Sequence, residues 1–179
     1  MLLTDAKIAL LIRDWTNSNP SNIQPCGYDL VLGENFLLPE WGTIYSQVQP
    51  LCIDPFSPPK FEFLNQKEPL IIPPNSFILG ESVEYIRMPN DVMGICLGRS
   101  TYARAGVITN ITPLEPGWEG KLTIEISNSN RLPVLVHPGK AICQIIFLQG
   151  AEKPLRNYIQ KGGRYNKQIG VTQGRSDVI

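Results

Sequence analysis

Two stretches of this 179-residue chain carry side chains suited to chemistry. The first is Gly98-Arg99-Ser100-Thr101-Tyr102-Ala103-Arg104-Ala105-Gly106, where two arginines and two hydroxyls follow the apolar run Val92–Leu97. Ser100 or Thr101 can cap a helical turn there, leaving backbone N–H groups free beside the guanidinium groups, which is the make-up of an anion site. A capped surface helix with solvated arginines is the other reading, and the stretch alone does not separate the two. The second stretch, Lys121 to Asn128, alternates strictly. Leu122, Ile124 and Ile126 share one face of a strand, and Thr123, Glu125 and Ser127 share the other. The apolar face belongs to a core, so Glu125 faces water or a pocket, and solvation is the default for such a glutamate. A zinc-activated water held by HxE with PCxxC is excluded. The lone histidine, His137, sits in His-Pro-Gly, and Pro25-Cys26 is followed by no cysteine before Cys52.

The elements that must hold these residues are short. Sixteen prolines and fifteen glycines punctuate brief apolar runs, which argues for an all-β domain of sandwich, jelly-roll or barrel type. The expected strands are Tyr28–Leu32, Phe77–Leu79, Val83–Ile86, Val92–Leu97, Lys121–Ser127, Val134–Val136 and Ala141–Leu148. Before them Thr4 is placed to cap a short helix with Ile8, Leu11 and Ile12 on one face. Tyr45–Leu70, rich in Pro and Phe, reads as a long excursion. The length suits one domain over residues 1–179, with no repeat and no linker.

Formal net charge is zero, which excludes a binder of nucleic-acid polymers by bulk charge. The tail is uneven, however. Between Ala151 and Asp177 stand Lys153, Arg156, Lys161, Arg164, Lys167 and Arg175 against Glu152 and Asp177. A small anion suits that segment, and so does plain solvation. Its glycines and few apolar residues cannot bury much alone. The N-terminus lacks a basic leader region and no apolar run approaches membrane-spanning length, so a cytoplasmic protein with no membrane partner is expected. The widely spaced Cys26, Cys52, Cys96 and Cys143 are expected as reduced, mostly buried thiols.

Several segments, in order along the chain, resemble those of the dCTP deaminases. Pro25-Cys26-Gly27-Tyr28-Asp29-Leu30-Val31-Leu32-Gly33 is similar to their SYDLRLG, and Gly98 to Arg104 to their GRSSLAR loop. Glu115-Pro116-Gly117-Trp118-Glu119-Gly120 resembles their DPGWxG hairpin, and Leu122 to Asn128 the strand bearing their catalytic glutamate. Arg164 to Val171 resembles their KYxxQxGV tail. Trp41–Leu70 carries the weakest likeness. The resemblance implies a distorted jelly-roll or β-barrel of the dUTPase-like type, with a short N-terminal helix and a flexible C-terminal tail, about 158–179, acting as a mobile lid. It further implies a homotrimer with its site between subunits, and deamination of dCTP to dUTP, the precursor of dUMP and dTTP. The cofactor it implies is Mg²⁺ held by the triphosphate, with no metal bound by the protein itself. Feedback inhibition by dTTP is expected on the same ground.

Roles follow from matching positions. Glu125 corresponds to the general acid–base, Ser100 to the serine that helps hold the attacking water, and Arg104 to the arginine that orients base and glutamate. Arg99, Thr101, Tyr102 and Ala103 fall in the triphosphate loop. Thr123 and Ile124 match main-chain positions at the cytosine edge, and Glu115 the aspartate beside the deoxyribose 3′-hydroxyl. Tyr158, Arg164 and Gln168 match tail residues that close over the nucleotide.

The chain departs from the pattern in three places. Glu115 stands for Asp, Arg164 for Lys, and the stretch between Arg104 and the hairpin is about two residues shorter than in some relatives. Enzymes of the superfamily that carry dCTP through to dUMP and pyrophosphate typically show TAGxIDAGF at the hairpin. Thr112-Pro113-Leu114-Glu115-Pro116-Gly117-Trp118 lacks that glycine and that aspartate, so dUTP is the expected product and the bifunctional enzyme the alternative. A pure dUTPase, a nucleotide-binding signalling protein without turnover, and a purely structural jelly-roll rank below these.

Overall fold

A computed structural model describes residues 1–39 and 60–175. Helix α1 (Asp5–Leu11) precedes ten strands: β1 (Ile23–Gln24), β2 (Gly27–Pro39), β3 (Phe61–Asn65), β4 (Leu70–Ile72), β5 (Ser76–Arg87), β6 (Val92–Gly98), β7 (Val107–Asn110), β8 (Glu119–Asn128), β9 (Val134–Val136) and β10 (Ala141–Gln149). One short helix, α2 (Ser100–Arg104), interrupts them. Thr4 is the N-cap of α1 by position, yet its side chain makes no capping bond. The Asp5 carboxylate takes the Ala6 N–H instead (2.8 Å). Ile8 and Ile12 are buried and Leu11 half-buried, as their spacing predicts.

The large sheet runs β6-β10-β2-β5-β8-β7, with β1 and β3 also on β2, while β4 and β9 form a separate pair. All the strand pairs are antiparallel. The two end strands curl toward each other into a nearly closed barrel. Gly94 and Leu114 exchange backbone hydrogen bonds of 2.9 and 2.8 Å, and a Cβ added to Gly98 would lie 3.0 Å from Thr109 Oγ1. Ile124, Ile126, Phe36, Tyr28, Ile145 and Phe147 fill the interior and are fully buried.

Two irregularities bend the sheet. Strand β2 pairs with β10 through Tyr28–Val31, then shifts register between Leu32 and Phe36 and pairs with β5 and β3. Strand β5 slips against β8 between Glu81 and Tyr85. Such bulges increase local twist and leave ladder groups unpaired. Here side chains replace the missing bonds. Ser82 Oγ accepts the Leu122 N–H (2.8 Å) and donates to the Glu84 carbonyl (2.7 Å). The fully buried Glu84 carboxyl accepts from Val31 N–H and, at 3.1 Å, from Tyr28 O–H.

Phe77–Leu79 and Val83–Ile86 are thus one strand and not two. The excursion expected over Tyr45–Leu70 falls partly outside the described residues, and its described part is not irregular. It carries β3, and β4 begins at Leu70. Of the cysteines, Cys143 is buried, Cys96 half-buried and Cys26 exposed, all free, whereas Cys52 lies outside the described residues.

Candidate active site

Strand β8 is the axis of the candidate site. Leu122, Ile124, Ile126 and Asn128 are buried, and Lys121, Thr123, Glu125 and Ser127 occupy the other face. Register builds a row on that second face: Phe63 of β3 opposite Leu37, Leu37 opposite Leu79, Leu79 opposite Glu125, Glu125 opposite Asn110. Glu125 is therefore half-buried, with Leu79 on one side and Asn110 on the other. Burial raises its carboxyl pKa above the usual value, with its own backbone hydrogen bond opposing. A shift in that direction helps a carboxyl take a proton and give it back.

Beside Glu125 the ladder opens. Strand β7 pairs with β8 through Glu125–Asn128. The C-terminal segment reaches the same edge of β8 further back, with Gly120 and Gln168 bridged in parallel. Lys121 donates its backbone N–H to Gln168 O (2.8 Å), and its carbonyl accepts from Gln168 Nε2 (2.6 Å). Main-chain groups of a strand alternate sides, so those of Thr123 point the same way. They face the opening between Asn110 and Gln168, one donor and one acceptor beside a half-buried carboxyl. Ile124 turns its side chain into the core and lies opposite Gly80 of β5.

The tail is bound along the start of β8. Trp118 Nε1 donates to Tyr165 O (2.9 Å), Glu119 N–H to Asn166 Oδ1 (3.2 Å) and Lys167 N–H to Glu119 O (2.7 Å). Further along, Thr172 N–H reaches Thr123 Oγ1 (3.0 Å). Gly120 adopts φ +149°, and a Cβ there would lie 3.1 Å from both Gln168 N and O. Glycine is needed for that close approach. Tyr158, half-buried, accepts the Tyr165 N–H on its hydroxyl (3.1 Å), and a Cβ on Gly163 would lie only 2.0 Å from its ring. Arg164 is exposed.

The arginine loop lies at the other end of β8, where Gly106 O accepts the Ser129 N–H (2.9 Å) and Ala105 O accepts from Asn130 Nδ2 (3.1 Å). Helix α2 starts at Ser100 with Arg99 as N-cap and no side-chain capping bond. The cap expected from Ser100 or Thr101 is therefore absent. Both are exposed, as are Ala103 and Arg104, while Tyr102 packs against the core. Arg99 pairs with Asp29 (3.4 Å). Neither Ser100 nor Arg104 bonds Glu125 within the described residues. Glu115 is exposed on the hairpin, about ten residues of chain from the carboxyl it should accompany. The chain thus gathers Thr123, Ile124, Glu125 and Gln168 and leaves the α2 residues apart.

Sequence reasoning passed over Trp118, Lys121, Glu81 and Glu84. Trp118 and Lys121 stood in quoted motifs, but their partners are tail residues more than forty positions away. The two glutamates belong to the β5 irregularity, which no periodicity announces.

A family model described as dCTP deaminase-like matches residues 2–150. A dCTP deaminase of Acidiphilium cryptum is 47% identical over 150 residues, covering 83% of this chain and 78% of its own. One from Gluconobacter oxydans is 44% identical over 149 residues with the same coverage. Among solved structures, the 2′-deoxycytidine 5′-triphosphate deaminase of Agrobacterium tumefaciens superposes with a TM-score of 0.65 at 19% identity. That match covers 83% of this chain and 47% of that one, and at such identity it speaks for the fold alone.

Proposed function

Because this chain belongs to the dCTP deaminase-like family, we propose that it hydrolyses dCTP to dUTP and ammonia with Glu125 as the group that moves protons. The observation that carries this reading is the half-buried Glu125, its pKa raised by burial, beside the open main-chain groups of Thr123. A cytosine edge needs one donor and one acceptor, and Thr123 offers both. The Glu125 carboxylate takes a proton from water as its oxygen adds to C4, and passes that proton to N3. It then takes the proton of the new C4 hydroxyl and hands it to the amino group. The C4–N bond breaks, ammonia departs, and C4=O with N3–H remains. Atoms and charge balance without zinc, for which the sequence has no ligand set.

Ser100 and Arg104 would reach this carboxyl from a neighbouring copy. The exposed Phe63 and Ile108 on the same face as Glu125 fit such a neighbour, and a homotrimer closes the arrangement. Arg99 and Thr101 would then receive the triphosphate, and Glu115 the sugar. Among the described residues no three His, Cys, Asp or Glu cluster as ligands. The magnesium ion of this reading enters on the triphosphate as part of the substrate, as suits a hard, hydrated cation.

Glu125→Gln tests the reading. Ammonia release from dCTP should fall by about 10²–10⁴-fold, the worth of a placed acid–base, while nucleotide binding by calorimetry persists. Turnover near the wild-type rate would remove Glu125 from the role. Separating dUTP from dUMP plus pyrophosphate in the same assay decides between the deaminase and the bifunctional enzyme.

A further inference from the structure

Behind the tail lies a buried carboxyl that the chemistry above does not use. Glu81 is 2% exposed and sits opposite Thr123 across β5 and β8. Its Oε1 accepts from Lys121 Nζ (2.6 Å) and from Asn35 Nδ2 (2.9 Å). Its Oε2 is buried with no partner. A Cβ added to Gly170 would meet that oxygen at 3.5 Å, so the tail backbone passes directly over it. Buried polar atoms are almost always paired, and an orphan marks a place where a donor arrives. The backbone groups of Lys121, whose side chain Glu81 holds, are the ones that hold Gln168. A second orphan points the same way, since Gln168 Oε1 is also buried and unpaired while its Nε2 lies on Lys121 O.

We propose that Glu81 is a positioning residue for the tail: through Lys121 it fixes the stretch of β8 that receives Gln168, and its free oxygen accepts a main-chain N–H near Gly170 when the tail tightens over the nucleotide. This rests on the reading that the tail closes over a substrate at Thr123 and Glu125, and it assigns the catch that holds the closed state. Glu81 touches neither water nor base, so it acts on nucleotide retention and not on proton transfer.

The experiment compares Glu81→Gln, Gln168→Ala and the double variant with the wild-type full chain. Steady-state dCTP deamination is measured together with hydrogen exchange of the tail peptide, with and without dCTP plus Mg²⁺. Glu81→Gln keeps the shape and one acceptor but loses the charge that holds Lys121. KM should rise about fivefold, the worth of one ordinary hydrogen bond, with kcat nearly unchanged. Tail exchange should quicken, and adding Glu81→Gln to Gln168→Ala should cost less than Glu81→Gln does alone, because the Lys121 route runs through Gln168 while the contact near Gly170 does not. An unchanged KM and tail exchange would overturn the proposal. So would effects that multiply independently, or a fall in kcat that tracks a lower unfolding temperature. Tail exchange is readable even if dCTP is not turned over, so failure of the latch and failure of the deaminase reading give different results.

Discussion

Removing the charge-bearing group of Glu84 should erase a pH dependence that the wild-type fold carries near neutrality. Its carboxyl is fully buried in the β5 irregularity. Burial is the largest influence on it and raises its pKa from 4.5 to about 7, against the smaller opposing pull of hydrogen bonds from Val31 N–H and Tyr28 O–H and of the Lys121 charge. The folded protein thus keeps this proton while the unfolded chain releases it. Stability is fully present below pH 4.5, declines as pH rises from there, and levels off above about 7. A difference of about two and a half units, at about 1.4 kcal/mol each, gives a loss of about 3 kcal/mol across that window. Glu84→Gln is a neutral side chain of the same shape, and its amide oxygen can still accept from Val31. Urea unfolding of both proteins at fixed protein concentration, from pH 5 to 8, measures the difference directly. The wild-type midpoint should fall with pH more steeply than that of Glu84→Gln up to about pH 7, and the two curves should run parallel from there to pH 8. Parallel pH dependences over the whole range would refute the reasoning, because they would place the titrating group elsewhere.

Three further outcomes are expected. Since burial raises the Glu125 pKa and the reaction begins from its carboxylate, kcat/KM for dCTP should drop on the acid side at a pH above the ordinary carboxylate range; a limb in the ordinary range would contradict the desolvation. Gly120→Ala sets a Cβ against the Gln168 backbone at a positive φ, so proteolysis within the tail should accelerate and KM should rise, whereas unaltered tail cleavage would deny the close approach. Ile124→Ala, which empties a fully buried position, should lower stability by about 2–5 kcal/mol in urea unfolding, and a loss under 1 kcal/mol would mean the site collapses around the gap.

How far the sequence could be read depended on the range of the interactions involved. The 2-residue alternation of Leu122, Ile124 and Ile126 located β8 and the face of Glu125, since a half-buried strand writes its orientation into consecutive residues. Val134–Val136 and Ala141–Leu148 emerged as short apolar runs bounded by Pro and Gly. The β5 strand was divided because Gly80-Glu81-Ser82 imitates a turn, and only Val31, Tyr28 and Leu122, distant in sequence, show how its polar groups are satisfied. Strands β3 and β7 are too short and too exposed for periodicity to mark them. The partial burial of Glu125 depends on Leu79 and Leu37 lying in its row, a pairing that no run of consecutive residues announces. The loop Gly98 to Gly106 announced its helix but not its missing cap.

The parallel seating of Gln168 on β8 carries a consequence for chain length. An antiparallel neighbour can follow a two-residue turn, but a parallel one demands a crossover of a dozen residues or more. The crossover leaves the end of β8 at Asn128 and returns through β9 and β10, and its last leg, from Gln149 to Gln168, works as a measured leash. Deleting a few residues between Gly150 and Gly162 should pull Gln168 off its register even with every tail residue intact. Inserting a few flexible residues should matter far less, because the cost of a longer loop grows only with the logarithm of its length.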